Sequence, residues 1–285
     1  MPHEYPNDIL KIVSAIAQLS NIYWSEDCYP KKKEFAQAEN GWLHALVLFH
    51  TNYASERQGA APQYRIFATQ ALETSGKGQP RPSQQLPYDT WNEFDMLAKA
   101  KGIGTNPNCN PLKWSRGNAT VSSTQFVLAH QEHNCNILLW AADMVRHGRA
   151  EEATSELLKI RGIGPKIAAF YLRDVAWYFA LDEEPPRFLQ PVDLWIRRIA
   201  ESWAAFIGRS VDDDDDIASV FVNLARAADV RGGDLNAGAW VLGSLFSGGS
   251  DLGEVVCNWP AFSSCIKTSL ARNDAVGAVL HQLPT

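Results

Sequence analysis

Two residues carry the chemistry this sequence offers, Lys166 and Asp193, each at the start of a helical pattern. Lys166 is the second residue of a pattern that begins at Pro165, and Phe170, Arg173 and Trp177 follow it at helical spacing. The positive end of a helix dipole disfavours a charged amine at that position. The same field, together with burial, favours the neutral amine that attacks carbon and forms a Schiff base. On position alone, a solvated lysine or a simple phosphate contact is an equally good reading. Asp193 follows Leu189-Gln190-Pro191-Val192 and leads into LWIRRIAESWAAFIG, which puts it at or next to a helix N-cap. A capping carboxylate is held rigidly, and one that also faces Lys166 across a cleft can stabilise positive charge developing on a substrate ring.

The element that must position Lys166 is the stretch Glu151 to Phe179, in which two helical patterns are separated only by Arg161, Gly162, Ile163 and Gly164. So short a connection predicts a tight hairpin. The glycines permit positive φ and close backbone approach. Pro165 suits the first position of the second helix, and Ile163 can tuck between the helices. Unpaired N–H groups at that helix start form a site suited to a phosphate oxygen, and such a hairpin grips a DNA backbone without reading its sequence. The chain holds a second Gly-x-Gly at Gly102-Ile103-Gly104, but Thr-Asn-Pro-Asn comes next and no second helix begins. There a helix end running into a loop is the expectation.

The rest of the chain supplies a scaffold. Apolar residues at helical spacing (Ile9, Leu10, Ile12, Val13, Ile16, Leu19) mark an early amphipathic helix. Similar stretches recur at Trp42 to Phe49, Asn134 to Val145 and Ile217 to Ala228, while alternating strand patterns are scarce, so an all-α fold is expected. Ser75 to Pro87 and Gly102 to Ser123 read as long loops. Between Met96 and Gln131 lie Lys99, Lys101, Lys113 and Arg116 with no acidic residue, which makes the second loop the best candidate for a phosphate-facing surface. The run Asp212 to Asp216 precedes a helical pattern, where carboxylates stabilise the positive end of the dipole.

With 285 residues and 46% hydrophobic content the chain can bury a sizeable core. Net charge is -6, the wrong sign for a protein that neutralises phosphates over its whole surface, so any nucleic-acid binding must come from a local patch. The ten tryptophans point mainly to core filling and only mildly to base stacking. Five cysteines (Cys28, Cys109, Cys135, Cys257, Cys265) form no even framework and read as free thiols of a reducing compartment. The start, MPHEYPNDILKIV, has no basic stretch followed by a long apolar one, so a cytoplasmic, nucleoid-associated or nuclear protein without a membrane partner is expected.

Taken together, Gly162-Ile163-Gly164-Pro165-Lys166 and Pro191-Val192-Asp193 resemble the helix-hairpin-helix superfamily of endonuclease III and the 8-oxoguanine DNA glycosylases. The match is specific over residues 150 to 205. The resemblance implies that Lys166 marks the branch that both removes a base and cleaves the strand, with Asp193 as its aspartate. It further implies two helical domains, residues 43–180 ending in the hairpin and residues 1–42 with 181–285, with Lys166 and Asp193 on opposite walls of a DNA cleft. Endonuclease III carries four closely spaced cysteines for an iron-sulfur cluster, whereas only Cys257 and Cys265 stand near this C-terminus, so no cluster is expected. A monovalent or divalent cation at the hairpin stays open.

The longer stretch between Lys166 and Asp193, with Glu183-Glu184-Pro185-Pro186 inserted, is similar to the archaeal 8-oxoguanine glycosylases, as is Phe170 one turn after the lysine. Their base-contacting acid and tryptophan correspond to Asn236 and Trp240 in LNAGAWVLGS, with asparagine standing in place of the acid. Trp240 reads equally well as a core residue on the last helix. The implied partner is double-stranded DNA with a damaged base, bound by a monomer, and 8-oxoguanine is favoured over an oxidised pyrimidine. Two other readings remain. One is a non-catalytic DNA-binding module that uses the hairpin only as a phosphate clamp. The other is a zinc protein built on His130, His133 and Cys135, where no second ligand pair stands at metal-binding spacing. Asn52 and His50 are further pocket candidates.

Overall fold

The computed structural model describes residues 5–25, 31–55, 61–115, 120–181, 186–243 and 252–270. Cys28, Arg116, Glu183, Glu184 and Pro185 lie outside the described residues. Among those described the fold is all-α, and the only strand-like pairing is an isolated parallel bridge between Val121 and Ile160. The chain divides into two compact units, a central one of residues 31–182 and a terminal one of residues 1–30 with 183–285. No helix among the described residues is long and apolar enough to cross a membrane.

The terminal unit holds α1 (Asn7–Trp24), α10 (Leu194–Phe206), α11 (Asp214–Ala227), α12 (Gly232–Val241), α13 (Leu252–Val255) and α14 (Trp259–Leu270). Burial follows the helical period: α10 hides Ile196, Ile199, Ala200, Trp203 and Ala204, one apolar stripe facing the core. Helix α12 packs chiefly on α1, and Gly238 is what allows it, since a Cβ there would stand 1.8 Å from the Ile16 carbonyl oxygen. The acidic run behaves as a helix start. Asp213 caps α11 by accepting the Asp216 N–H, and Asp214 to Asp216 occupy the first turn. Arg197 and Arg187 pair with Asp214 and Asp215.

The central unit runs α2 (Lys31–Glu39), α3 (Trp42–Phe49), α4 (Ala61–Gly76), α5 (Leu86–Ala100), α6 (Ser123–Ala129), α7 (Ile137–Arg146), α8 (Ala150–Leu157) and α9 (Pro165–Tyr178). Helix α3 passes directly into a π turn, His50–Ala54. The expected boundary at residue 43 lies earlier, at 31, because α2 belongs here: Phe35 stacks on Tyr178 of α9, and Asn136 donates to the Ala38 carbonyl. Helix α7 begins at Ile137 rather than Asn134, since Asn134 and Cys135 sit at φ +55° and +60°, outside the helical region. Asn136 then caps it, accepting from the N–H groups of Leu138 and Leu139. The four described cysteines are free thiols.

Candidate functional site

The hairpin forms between α8 and α9, but its turn is longer than the glycines alone suggest. Helix α8 stops at Leu157, and Lys159 and Ile160 close tight i to i+3 bonds. The cause lies in a neighbouring segment: Val121 donates to the Lys159 carbonyl and accepts from the Arg161 N–H, both at 2.9 Å, which draws these residues off the helix path. The loop that ends at Val121 is therefore stitched to the turn. Gly162 takes φ +76°, Ile163 is buried, and Gly164 is extended at the N-cap of α9 with Pro165 next.

Of the four turn residues expected to meet a DNA backbone, two are engaged elsewhere through their amides. Arg161 donates to Val121, and Ile163 donates to the Ile160 carbonyl at 3.1 Å. The N–H groups of Gly162 and Gly164 have no acceptor among the described residues, and these two can take a phosphate oxygen. The turn brings no carboxylate, so a cation there would be held by backbone carbonyls, of which those of Ile160 and Gly164 already accept one N–H bond each.

Lys166 occupies the second position of α9 and is half-buried. Phe170, one turn on and also half-buried, has one ring face covered by the Arg173 guanidinium at 4.7 Å. Arg173 is fully buried with Asp174, to which it donates through Nε (3.0 Å) and an Nη (2.8 Å), and Tyr53 of the π turn donates to the other carboxylate oxygen at 2.8 Å. A buried ion pair persists only when its hydrogen bonds are complete, and this one fixes α9 to the π turn. On the same π turn His50 is wholly buried, with Nδ1 3.1 Å from the Ser55 hydroxyl and Nε2 2.7 Å from the Ser123 hydroxyl. Burial lowers its pKa to about 3, so the ring is neutral at pH 7. His50 is therefore a core residue, and the half-buried Asn52 donates to Glu34. The sequence signal for the Arg173-Asp174 pair is its position inside the apolar run of Tyr171, Leu172, Val175 and Ala176, where charged residues stay buried only in pairs.

In the terminal unit, Asp193 is the N-cap of α10: one carboxylate oxygen accepts from Trp195 N–H (2.9 Å) and Ile196 N–H (3.0 Å), and the residue is 9% exposed. Asn236 reaches the same segment, but its side-chain N–H donates to the Pro191 carbonyl at 3.2 Å, which makes it a clamp on the approach to Asp193. Trp240, one turn further along α12, meets Tyr23 edge-on with centroids 5.7 Å apart and is half-buried. It is not on the last helix, since α13 and α14 come after. Thus Asn236 reaches the segment that carries Asp193, as Lys166 and Phe170 share one helix face, the first pair in the terminal unit and the second in the central one.

The histidine and cysteine cluster does not assemble. His130 faces the Phe126 carbonyl at 2.9 Å with its ring against Phe126 and Trp140, His133 stands 3.8 Å from Asp143, and no group of three metal-ligating residues occurs among the described residues. Lys113, from the basic loop, lies 4.3 Å over the Trp91 ring, and Lys99 pairs with Asp95. No family model, curated protein or solved structure matches the chain.

Proposed function

We propose that this chain is a DNA base-excision glycosylase with abasic-site lyase activity, of the helix-hairpin-helix kind, acting on an oxidised base and on 8-oxoguanine first. The observation that carries the reading is the hairpin itself. A tight turn with two unengaged glycine amides leads straight into a helix whose second residue is a half-buried lysine. The rigidly capped Asp193 adds a fixed carboxylate, the group that chemistry at a cationic sugar requires.

In this mechanism the hairpin grips the backbone and the damaged nucleotide is flipped out of the duplex, with one face of Phe170 stacking on the base while Arg173 covers the other. The uncharged Lys166 amine attacks C1′ as the bond from C1′ to the base breaks, and the base leaves with the bonding electrons and a proton. Asp193 stabilises the positive charge on the sugar. Ring opening gives an imine between Lys166 and C1′, loss of a C2′ proton then expels the 3′ phosphate, and hydrolysis frees the enzyme.

Borohydride reduces that imine, so incubation with an 8-oxoguanine duplex should leave a covalent protein-DNA adduct. Asp193→Asn, which keeps a good cap and hence the fold, should slow base release by on the order of 10²-fold or more. Binding to duplexes with no turnover on any lesion would favour the non-catalytic clamp, and full base release by Asp193→Asn would remove the aspartate from the mechanism. A panel of lesion duplexes sets the base, and activity confined to thymine glycol would overturn the preference for a purine.

A further inference from the structure

Buried polar groups almost always find partners, and each exception asks for a cause. Among the described residues Thr90, Tyr171 and Arg161 each leave one buried side-chain atom unpaired, but Gln190 leaves both, the amide nitrogen and the amide oxygen alike. Interchanging the two atoms cannot repair this. Gln190 is only 2% exposed, and it stands three residues before Asp193 on a segment where Asp193 caps α10 and the Pro191 carbonyl accepts from Asn236. A carboxamide hidden with neither half paired is costly to keep, and an apolar side chain of the same size would be the more stable choice.

We infer that Gln190 is a specificity-determining residue of the Asp193 site, whose carboxamide pairs with a base edge presenting one hydrogen-bond donor beside one acceptor. This rests on the glycosylase reading. A side-chain amide offers that pattern in mirror form and discriminates strongly against an edge lacking it. Its cover must move for a base to reach it, so the edge is read after the nucleotide has entered.

The test separates base reading from sugar chemistry. Gln190→Met, matched in length, and Gln190→Leu are assayed on an 8-oxoguanine duplex and on a duplex with a preformed abasic site, and their melting temperatures are measured. The expected result is a Tm raised by about 2 °C or more, base release slowed roughly ten- to a hundredfold, and abasic-strand cleavage and borohydride trapping unchanged within about twofold. A lower Tm in both variants, as for a glutamine held by an ordered water, would overturn the inference, as would unchanged base release or an equal loss on both duplexes. If the unsubstituted protein acts on neither duplex, the glycosylase reading itself has failed, an outcome visible before any variant is examined.

Discussion

Gly102-Ile103-Gly104 and Gly162-Ile163-Gly164 are the same tripeptide in one chain, and they do different work. Both come after a helix, and both place the first glycine in the left-handed region, at φ +66° and +76°. After α5 the turn closes by returning the Ile103 N–H to the Ala98 carbonyl at 2.9 Å, an ordinary helix end, and the Gly104 carbonyl is taken by the Tyr64 hydroxyl. After α8 the turn is braced by Val121, its isoleucine is buried, and Pro165 starts a new helix at once. Glycine spacing therefore supplies only a backbone shape. What separates the two is the residues after the second glycine: Pro-Lys opens a helix, whereas Thr-Asn-Pro opens a loop.

The largest expected difference between the turns lies in the lysines beside them. Lys166→Gln should reduce the borohydride-trapped adduct to background, a loss on the order of 10³-fold, whereas Lys101→Gln, next to the other turn, should leave trapping as it was. Persistent trapping by the Lys166 variant would move the nucleophile elsewhere and erase the contrast.

Support beneath the turns differs next. Val121, which braces the hairpin, is two residues from Ser123, and the Ser123 hydroxyl is held by the buried His50. In the unfolded chain His50 binds a proton near its ordinary value of 6.5, while in the folded chain it does so only at about 3. Below pH 6.5 the unfolded state thus holds more protons, so stability is full above that pH and is lost as pH falls toward 3, by roughly 5 kcal/mol in all. In urea unfolding between those pH values, His50→Gln should lose less stability than the parent by that margin. Parallel losses in the two proteins would mean that the ring is not the acid-sensitive support.

Much of this contrast was legible in the sequence because it is local. A Gly-x-Gly-Pro-Lys run states its own turn, and Asp193 before an apolar-periodic run states its own cap; the cap formed as read, and the turn formed but begins earlier, after Leu157. What stayed hidden depends on distant partners. No periodicity says that Val121 will pair with Ile160, that Tyr53 will reach Asp174, or that Asn236 will spend its amide on the Pro191 carbonyl. The boundary before α2 was missed for the same reason, because the Phe35 contact with Tyr178 joins residues far apart in the chain. Gln190 gave no signal at all, since a glutamine in a loop reads as exposed until its surroundings are known.

The smallest expected effects separate backbone shape from ligand contact. Gly162→Ala and Gly102→Ala both force a Cβ into the left-handed region, so each should cost about 1–2 kcal/mol of stability, measured by urea unfolding. Only the first should also weaken binding to duplex DNA. Gly164→Ala sharpens the point, because its φ of -103° suits any residue and a Cβ there meets nothing within 4 Å. Stability should stay within about 0.5 kcal/mol of the parent, yet duplex affinity should fall several-fold, because the new methyl group stands beside an amide that a phosphate oxygen must approach. Gly104→Ala, likewise free of contacts within 4 Å, should change neither quantity. Equal affinity for the parent and Gly164→Ala would mean that the hairpin amides do not hold the backbone, and the two tripeptides would then differ in shape alone.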